Sequence, residues 1–264
     1  MHIKWSFHEE HNFEVMKIAL AQIRSLAGMV ERNINQHLAF MELAAELGAD
    51  LVLFPELSIT GYEPSLAEAN AGAITSPLLD PIHQAAQQWH IVTGVGFPVR
   101  IETGIAIGLV FMGPDMQRTW YAKQFLHPDE EPFFEGVCEN PQLPAAFRSV
   151  GLAICYELSV IAHAKEVHRS GKSIYLASVA KSEKGVMQAH ARMANIASSY
   201  QMITGMVNSI GPNDDFISSG GTAWWDANGN QIGNMDTSDE GILLLDTETM
   251  NAKLQRIQAN YSAE

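Results

Sequence analysis

The chain has 264 residues, of which 47% are apolar, and 30 acidic residues against 16 basic ones give it a formal net charge of −14. Such a chain lacks the clustered lysines and arginines that nucleic acid or an anionic membrane would require. No apolar run approaches the roughly 18 residues of a membrane span, and the first fifteen residues lack the apolar centre of a secretory signal. We therefore expect a soluble protein with a flexible N-terminal extension or tag at residues 1–15.

Hydrophobic periodicity predicts strands and helices that alternate along the rest of the chain. Apolar runs bounded by turn residues predict strands at 17–23, 50–54, 90–99, 104–112, 119–122, 150–154, 173–179, 202–208, 222–225 and 242–246. Apolar residues three and four positions apart predict helices at 30–48, 77–89, 159–170 and 185–200. The final segment is predicted to be a helix whose apolar face consists of Met250, Leu254, Ile257 and Tyr261.

This alternation is typical of a layered α/β architecture. The sequence contains no internal repeat, low-complexity tract or Pro/Gly/Ser-rich linker, so we predict one domain at residues 16–264. Cys138 and Cys155 allow at most one disulfide, and two free thiols in a reducing cytoplasm are the better interpretation.

Cys155 directly follows the apolar run at 150–154, at the predicted start of a helix. A thiol in this position faces a cleft and oriented backbone N–H groups, which would lower its pKa and hold a developing oxyanion. A buried structural cysteine would show the same local pattern, and its position alone does not separate the two interpretations.

Glu56 and Lys123 follow two other predicted strands in the same way. A charged residue that continues an apolar strand must be paired, solvated or functional, and each of these two taken alone is equally consistent with a surface residue. Together with Cys155 they place a base, a cation and a nucleophile at strand ends, where open α/β sheets build their sites.

The chain contains the segments KIALAQI…ELGADLVLFPELSITGY, YAKQFLHPDEEPFFEG and VGLAICYELSV. In order and spacing they resemble the three signature blocks of the nitrilase, or carbon–nitrogen hydrolase, superfamily, and the resemblance covers residues 16–264. It implies a four-layer α-β-β-α sandwich. It also implies a Glu–Lys–Cys triad, whose members correspond to Glu56, Lys123 and Cys155.

The resemblance further implies a second glutamate shortly after the lysine, which would be Glu130, with the adjacent Glu131 as the alternative. The oxyanion would be held by the lysine and by the backbone N–H of Tyr156. In this fold the loop after the strand at 173–179 borders the pocket, so Ser178 and Lys181 are candidate contacts for the substrate.

The implied reaction is hydrolysis of a small amide, ω-amide or N-carbamoyl compound through a cysteine thioester, with a nitrile as a less favoured substrate. No cofactor or metal is implied, and His163 and His168 are five residues apart rather than at the helical spacing of a zinc site. The resemblance also implies a homodimer or a higher homo-oligomer. Two alternatives remain open: acyl transfer to an acceptor other than water, and a non-catalytic ligand-binding role, against which the intact triad argues.

Overall fold

A computed structural model describes residues 14–257 of the chain. Within this range the strands are β1 Lys17–Gln22, β2 Leu51–Leu53, β3 Val92–Arg100, β4 Ile105–Gly113, β5 Met116–Ala122, β6 Val150–Ile154, β7 Ile174–Val179, β8 Ile203–Asn208, β9 Ile210–Asn213, β10 Phe216–Ser219, β11 Ala223–Trp225, β12 Gln231–Asn234, β13 Gly241–Asp246 and β14 Asn251–Arg256. The α-helices are α1 Val30–Glu46, α2 Ala67–Asn70, α3 Asp80–Gln88, α4 Ile161–Arg169 and α5 Glu183–Tyr200.

The strands form two large sheets and one hairpin. The first sheet has seven strands in the order β14-β13-β1-β2-β3-β4-β5, and the second has five in the order β12-β11-β8-β7-β6. In each sheet three strands are parallel, namely β1-β2-β3 and β6-β7-β8, and helices connect them. The hairpin consists of β9 and β10.

The two sheets pack face to face, and helices cover both outer faces. One core cluster joins the sheets and includes Leu53 and Leu109 from the first sheet with Leu152 and Leu176 from the second. A second cluster packs α1 and α3 on the first sheet, and a third packs α4 and α5 on the second. Strands buried on both faces explain the near-continuous apolar runs of the sequence. The predicted four-layer α-β-β-α sandwich is confirmed.

The end of the described chain differs from its prediction. Residues 251–256 form β14, which pairs antiparallel with β13, and not a helix. The Asp246 carboxylate accepts hydrogen bonds from the backbone N–H groups of Glu248 and Thr249, and this turn sends the chain back along the sheet. Met250 and Leu254 still pack on the core, but with the two-residue period of a strand. Tyr261, the last member of the predicted helical face, lies outside the described residues.

Several other elements differ from the sequence prediction. The helix predicted at 159–170 is α4, which begins at Ile161 after a short 3-10 helix at Cys155–Ser159, and the hairpin β9–β10 was not predicted. Of the proposed extension at residues 1–15, all but Glu14 and Val15 lies outside the described residues. No helix in the described part of the chain is long and apolar enough to cross a membrane.

Candidate active site

Lys123 directly follows β5, and its side chain is fully buried. Its ammonium donates hydrogen bonds to Glu56 Oε1 at 2.6 Å and to Glu130 Oε1 at 2.7 Å. Burial alone would lower the pKa of Lys123, but the charges of the two carboxylates outweigh it and raise this pKa above its ordinary value. The site therefore contains a permanent cation held between two carboxylates.

Glu56 lies in a tight turn that begins after β2 and packs against the backbone of β3. Leu57 in this turn has a positive φ of 50°. A Cβ atom at Gly96 of β3 would lie only 2.3 Å from the Leu57 nitrogen and 2.4 Å from the Pro55 oxygen, so only glycine permits this approach. The Gly96 N–H also donates to the hydroxyl of Ser58 at 3.2 Å. The fold thus positions Glu56 through backbone contacts.

The Glu56 side chain is fully buried, yet one of its carboxylate oxygens, Oε2, has no hydrogen-bond partner. Burial raises the pKa of Glu56; the charge of Lys123 lowers it, and that of Glu130 raises it further, so that the pKa lies above the ordinary glutamate range. A buried carboxylate with an unused oxygen and a raised pKa is suited to accept a proton.

Glu130 is the second carboxylate of this site. Its Oε1 accepts from Lys123 and from the Tyr62 hydroxyl at 2.8 Å, and its Oε2 accepts from the backbone N–H of His127 at 2.8 Å. These contacts occupy both oxygens and fix the carboxylate in place. Glu131, the alternative in the sequence, lies at the surface, and the structure does not bring it to the lysine.

Cys155 is the first residue of the 3-10 helix Cys155–Ser159, which follows β6. Its backbone has a positive φ of 43°, a conformation that costs energy for a residue with a side chain and that clusters at functional sites. The thiol lies 3.7 Å from the carbonyl oxygen of Ala180, to which it donates. The next residue, Tyr156, is half-buried, and its ring meets that of His127 edge to face, with centroids 5.4 Å apart.

The charges of the site act on the Cys155 thiol. Burial and the negative charge of Glu56 raise its pKa, while the positive charges of Lys181 and Lys123 lower it by less. The expectation of a lowered pKa was therefore wrong: the thiol is desolvated, and no α-helix starts at this residue. A thiol in this state needs a base to remove its proton before it can attack.

The two pocket candidates after β7 have different environments. Lys181 is half-buried, its N–H donates to Asn208 Oδ1 at 2.9 Å, and its carbonyl accepts from Asn208 Nδ2 at 3.1 Å. Ser178 is fully buried, and its hydroxyl donates to the carbonyl of Phe54 at 2.8 Å, which ties β7 to the chain after β2. Lys181 thus belongs to the surroundings of the thiol, whereas the Ser178 hydroxyl is used within the fold.

Sequence reasoning did not assign three residues of the site: Tyr62, Glu157 and Asn208. Asn208 at the end of β8 and Glu157 two residues after the thiol are polar side chains near the end of an apolar segment, the same signal that selected Glu56 and Lys123. Tyr62 could have been found only as part of the FPELSITGY segment. Within residues 14–257 no group of three or more His, Cys, Asp or Glu side chains could hold a metal ion.

The sequence matches the carbon–nitrogen hydrolase family over residues 17–255. A cysteine-to-serine variant of the Nesterenkonia AN1 amidase, from the nitrilase superfamily, has a similar structure, with a TM-score of 0.78 at 21% identity over 88% of this chain and 91% of that one. A cysteine-to-alanine variant of the amidase from Nesterenkonia sp. AN1, in complex with butyramide, gives a TM-score of 0.79 at 20% identity over 89% and 91%.

A shorter match is to the glutamine-dependent NAD(+) synthetase of Xylella fastidiosa, 36% identical over 86 residues. That segment spans 32% of this chain and 16% of the synthetase. The family match covers most of the chain, and the similar structures agree with the layered fold. The chain belongs to the carbon–nitrogen hydrolase family.

Proposed function

We propose that this enzyme hydrolyses a small amide or N-carbamoyl compound through a thioester on Cys155. The observation that carries the proposal is the buried lysine cluster, which we define as Glu56, Lys123, Glu130 and Tyr62. It combines a permanent cation with a carboxylate oxygen that has no partner, Glu56 Oε2, and its charges act on the thiol. A nucleophile, a base and an oxyanion partner are the three groups that acyl transfer needs.

In the first half of the reaction Glu56 accepts the thiol proton, and the sulfur of Cys155 attacks the amide carbon. The carbonyl oxygen becomes an oxyanion, which Lys123 and the backbone N–H of Tyr156 stabilise. Glu56 then gives its proton to the nitrogen, the C–N bond breaks, and ammonia or an amine leaves. The product of this half is the thioester.

In the second half Glu56 removes a proton from water, whose oxygen attacks the thioester carbon. The C–S bond breaks as the second oxyanion collapses, the carboxylic acid leaves, and the proton returns to the sulfur. Throughout both halves Glu130 holds Lys123 in place and keeps its charge. The cycle balances without a metal or an organic cofactor.

The chemistry and the similar structures support the proposed substrate class. The structural neighbour bound to butyramide is an amidase, which supports a small amide. An N-carbamoyl compound presents the same carbonyl next to nitrogen, whereas a nitrile needs an extra hydration step and is less favoured. We also propose that the enzyme is a homodimer or a higher homo-oligomer. We further propose a cytoplasmic location, which the two free cysteines support.

The test is a mass-spectrometric screen of the intact enzyme against small amides, ω-amides, N-carbamoyl amino acids and nitriles. We expect release of ammonia or amine with at least one amide, together with an acyl adduct on the Cys155 peptide. Cys155→Ala should abolish both. Cys138→Ala should leave both unchanged, because Cys138 is exposed and is not a member of the lysine cluster. Turnover by Cys155→Ala, or an adduct on Cys138 alone, would refute the mechanism.

A further inference from the structure

One fully buried carboxylate, that of Glu157, joins the two chain segments that carry the reacting groups. Its Oε2 accepts a hydrogen bond from the backbone N–H of Ile154 at 2.7 Å, and its Oε1 accepts from the backbone N–H of Gln124 at 2.7 Å. Ile154 immediately precedes Cys155, and Gln124 immediately follows Lys123. Glu157 therefore connects the residue before Cys155 to the residue after Lys123.

This connection matters because the sheets themselves do not provide it. Lys123 follows β5, the edge strand of the seven-stranded sheet, and Cys155 follows β6, the edge strand of the five-stranded sheet. Strands within one sheet are fixed relative to each other by their hydrogen-bond ladder, but no ladder joins β5 to β6. The separation of the two residues depends on packing and on side-chain hydrogen bonds.

Three further residues extend this contact into a network, which we call the glutamate brace: Glu157, Tyr121, His163 and Tyr175. The Tyr121 hydroxyl donates to Glu157 Oε2 at 2.8 Å and lies 2.8 Å from His163 Nε2. His163 Nδ1 lies 3.0 Å from the Tyr175 hydroxyl. All directions agree when His163 is neutral with its proton on Nε2, and burial lowers the pKa of His163 to about 4.

The hydrogen-bond partners of Glu157 favour a carboxylate. All three groups that contact the Glu157 oxygens are donors, and Lys123 also favours the charged form, although burial opposes it and raises the pKa of Glu157. A cavity of about 790 Å³, lined in part by Tyr121, Gln124 and His163, opens behind the brace.

We propose that Glu157 is a positioning residue that sets the separation between the Lys123 ammonium and the backbone N–H following Cys155. This inference rests on the proposed function, in which these two groups hold the oxyanion. Oxyanion donors act only within about 2.7–3.1 Å of the developing charge, and a displacement of about 1 Å costs on the order of 10²-fold in rate. The strained backbone at Cys155 needs a restraint of this kind.

The experiment compares two reactions of the same thiol. Amide hydrolysis forms an oxyanion, whereas in the reaction with methyl methanethiosulfonate the thiolate displaces methanesulfinate from sulfur and forms a disulfide without one. In Glu157→Gln the amide NH₂ must face one of the backbone N–H donors. We expect kcat for the best amide of the panel to fall about 10²-fold, while the thiosulfonate rate at Cys155 changes less than about threefold.

Two further variants make the test decisive. Tyr121→Phe removes one donor and keeps both backbone hydrogen bonds, so it should show the same selective loss of kcat at a smaller size, and it carries the test if Glu157→Gln does not fold. Glu240→Gln is the matched control: Glu240 is a buried carboxylate that accepts from the Arg24 N–H and from Gln36. Its variant should leave the ratio of the two rates unchanged.

The outcomes separate this inference from the proposed function. Equal losses in both reactions, or no loss in either, would show that the brace does not position the oxyanion donors. A wild-type enzyme that reacts with the thiosulfonate at Cys155 but neither turns over nor becomes acylated by any amide would instead remove the proposed function itself.

Discussion

The lysine cluster and the glutamate brace are two buried polar networks near the end of β5, and they differ in whether every polar atom has a hydrogen-bond partner. In the lysine cluster Glu56 Oε2 has no hydrogen-bond partner. In the brace both oxygens of Glu157, both tyrosine hydroxyls and both nitrogens of His163 have one. One network leaves a carboxylate oxygen without a partner, and in the other each of these atoms has at least one.

This difference separates a reacting group from a supporting one. An unsatisfied buried carboxylate costs stability, so the fold retains it only where the rest of the structure holds it and where its reactivity is used. A fully satisfied network rigidifies its surroundings and has no free group to offer a substrate. The comparison predicts that substitutions in the two networks divide differently between activity and stability.

The largest effect is expected from Lys123→Met. This variant leaves the carboxylates of Glu56 and Glu130 buried without the cation that both contact, and loss of one partner from a buried ion pair costs about 3–5 kcal/mol. Hydrolysis should also be abolished. Urea unfolding at pH 7.5 measures the stability change, with Lys253→Met as the control, since an exposed lysine should change it by less than about 0.5 kcal/mol. Equal stability of the two variants would contradict a charged cluster.

Glu56→Gln should separate the two networks most sharply. Removal of a general base lowers kcat/KM by about 10²–10⁴-fold. The free energy of unfolding should stay the same or increase at pH 7.5, because glutamine keeps an oxygen for Lys123 and its NH₂ group replaces only Oε2, which has no partner. Glu157→Gln should instead lower the free energy of unfolding, because an amide cannot accept hydrogen bonds from all three donors of the brace. Denaturant titration of both variants checks this contrast, and a large destabilisation by Glu56→Gln would remove it.

The positions of Glu56, Lys123 and Cys155 at strand ends were predictable from the sequence, because charged or reactive residues directly follow apolar runs there. The choice between Glu130 and Glu131 was not, since one step along a turn moves a side chain from a buried cluster to the surface. The brace was also hidden: Tyr121, His163 and Tyr175 lie on three different elements, and no local spacing relates them.

The C-terminal strand shows a different limit of sequence reasoning. Met250 and Leu254 satisfy the spacing of a helix as well as that of a strand, so periodicity alone could not decide between them. The strand forms because the turn at Asp246 reverses the chain and because β13 offers β14 an edge to pair with. The turn is local to the sequence, whereas the edge of β13 exists only in the folded sheet.

The next effect is a pH dependence that has opposite signs for activity and stability. Glu56 must be ionised to act, so log(kcat/KM) should fall by one per pH unit below a midpoint that lies above the ordinary glutamate value of about 4.3. A pKa raised by folding means that the native state binds more protons between the unfolded and folded values, so the contribution of Glu56 to stability is lost as pH rises through this window.

Kinetics and urea unfolding across pH 4–8 measure both trends, and Glu56→Gln is the control because it lacks the titrating group. In that variant the stability trend that comes from Glu56 should disappear. A midpoint of kcat/KM below about 4.3 would contradict the raised pKa.

The smallest effect is expected from Lys181→Met, which tests whether a cation outside the lysine cluster also acts on the thiol. The positive charge of Lys181 opposes the rise in the pKa of Cys155, so its removal should raise this pKa further and reduce the thiolate fraction at pH 7.5. The rate of reaction with methyl methanethiosulfonate should then fall by roughly tenfold or less. Lys184→Met is the matched control, because Lys184 is exposed and lies three residues along the chain. Equal rates for the two variants would show that Lys181 does not act on the thiol.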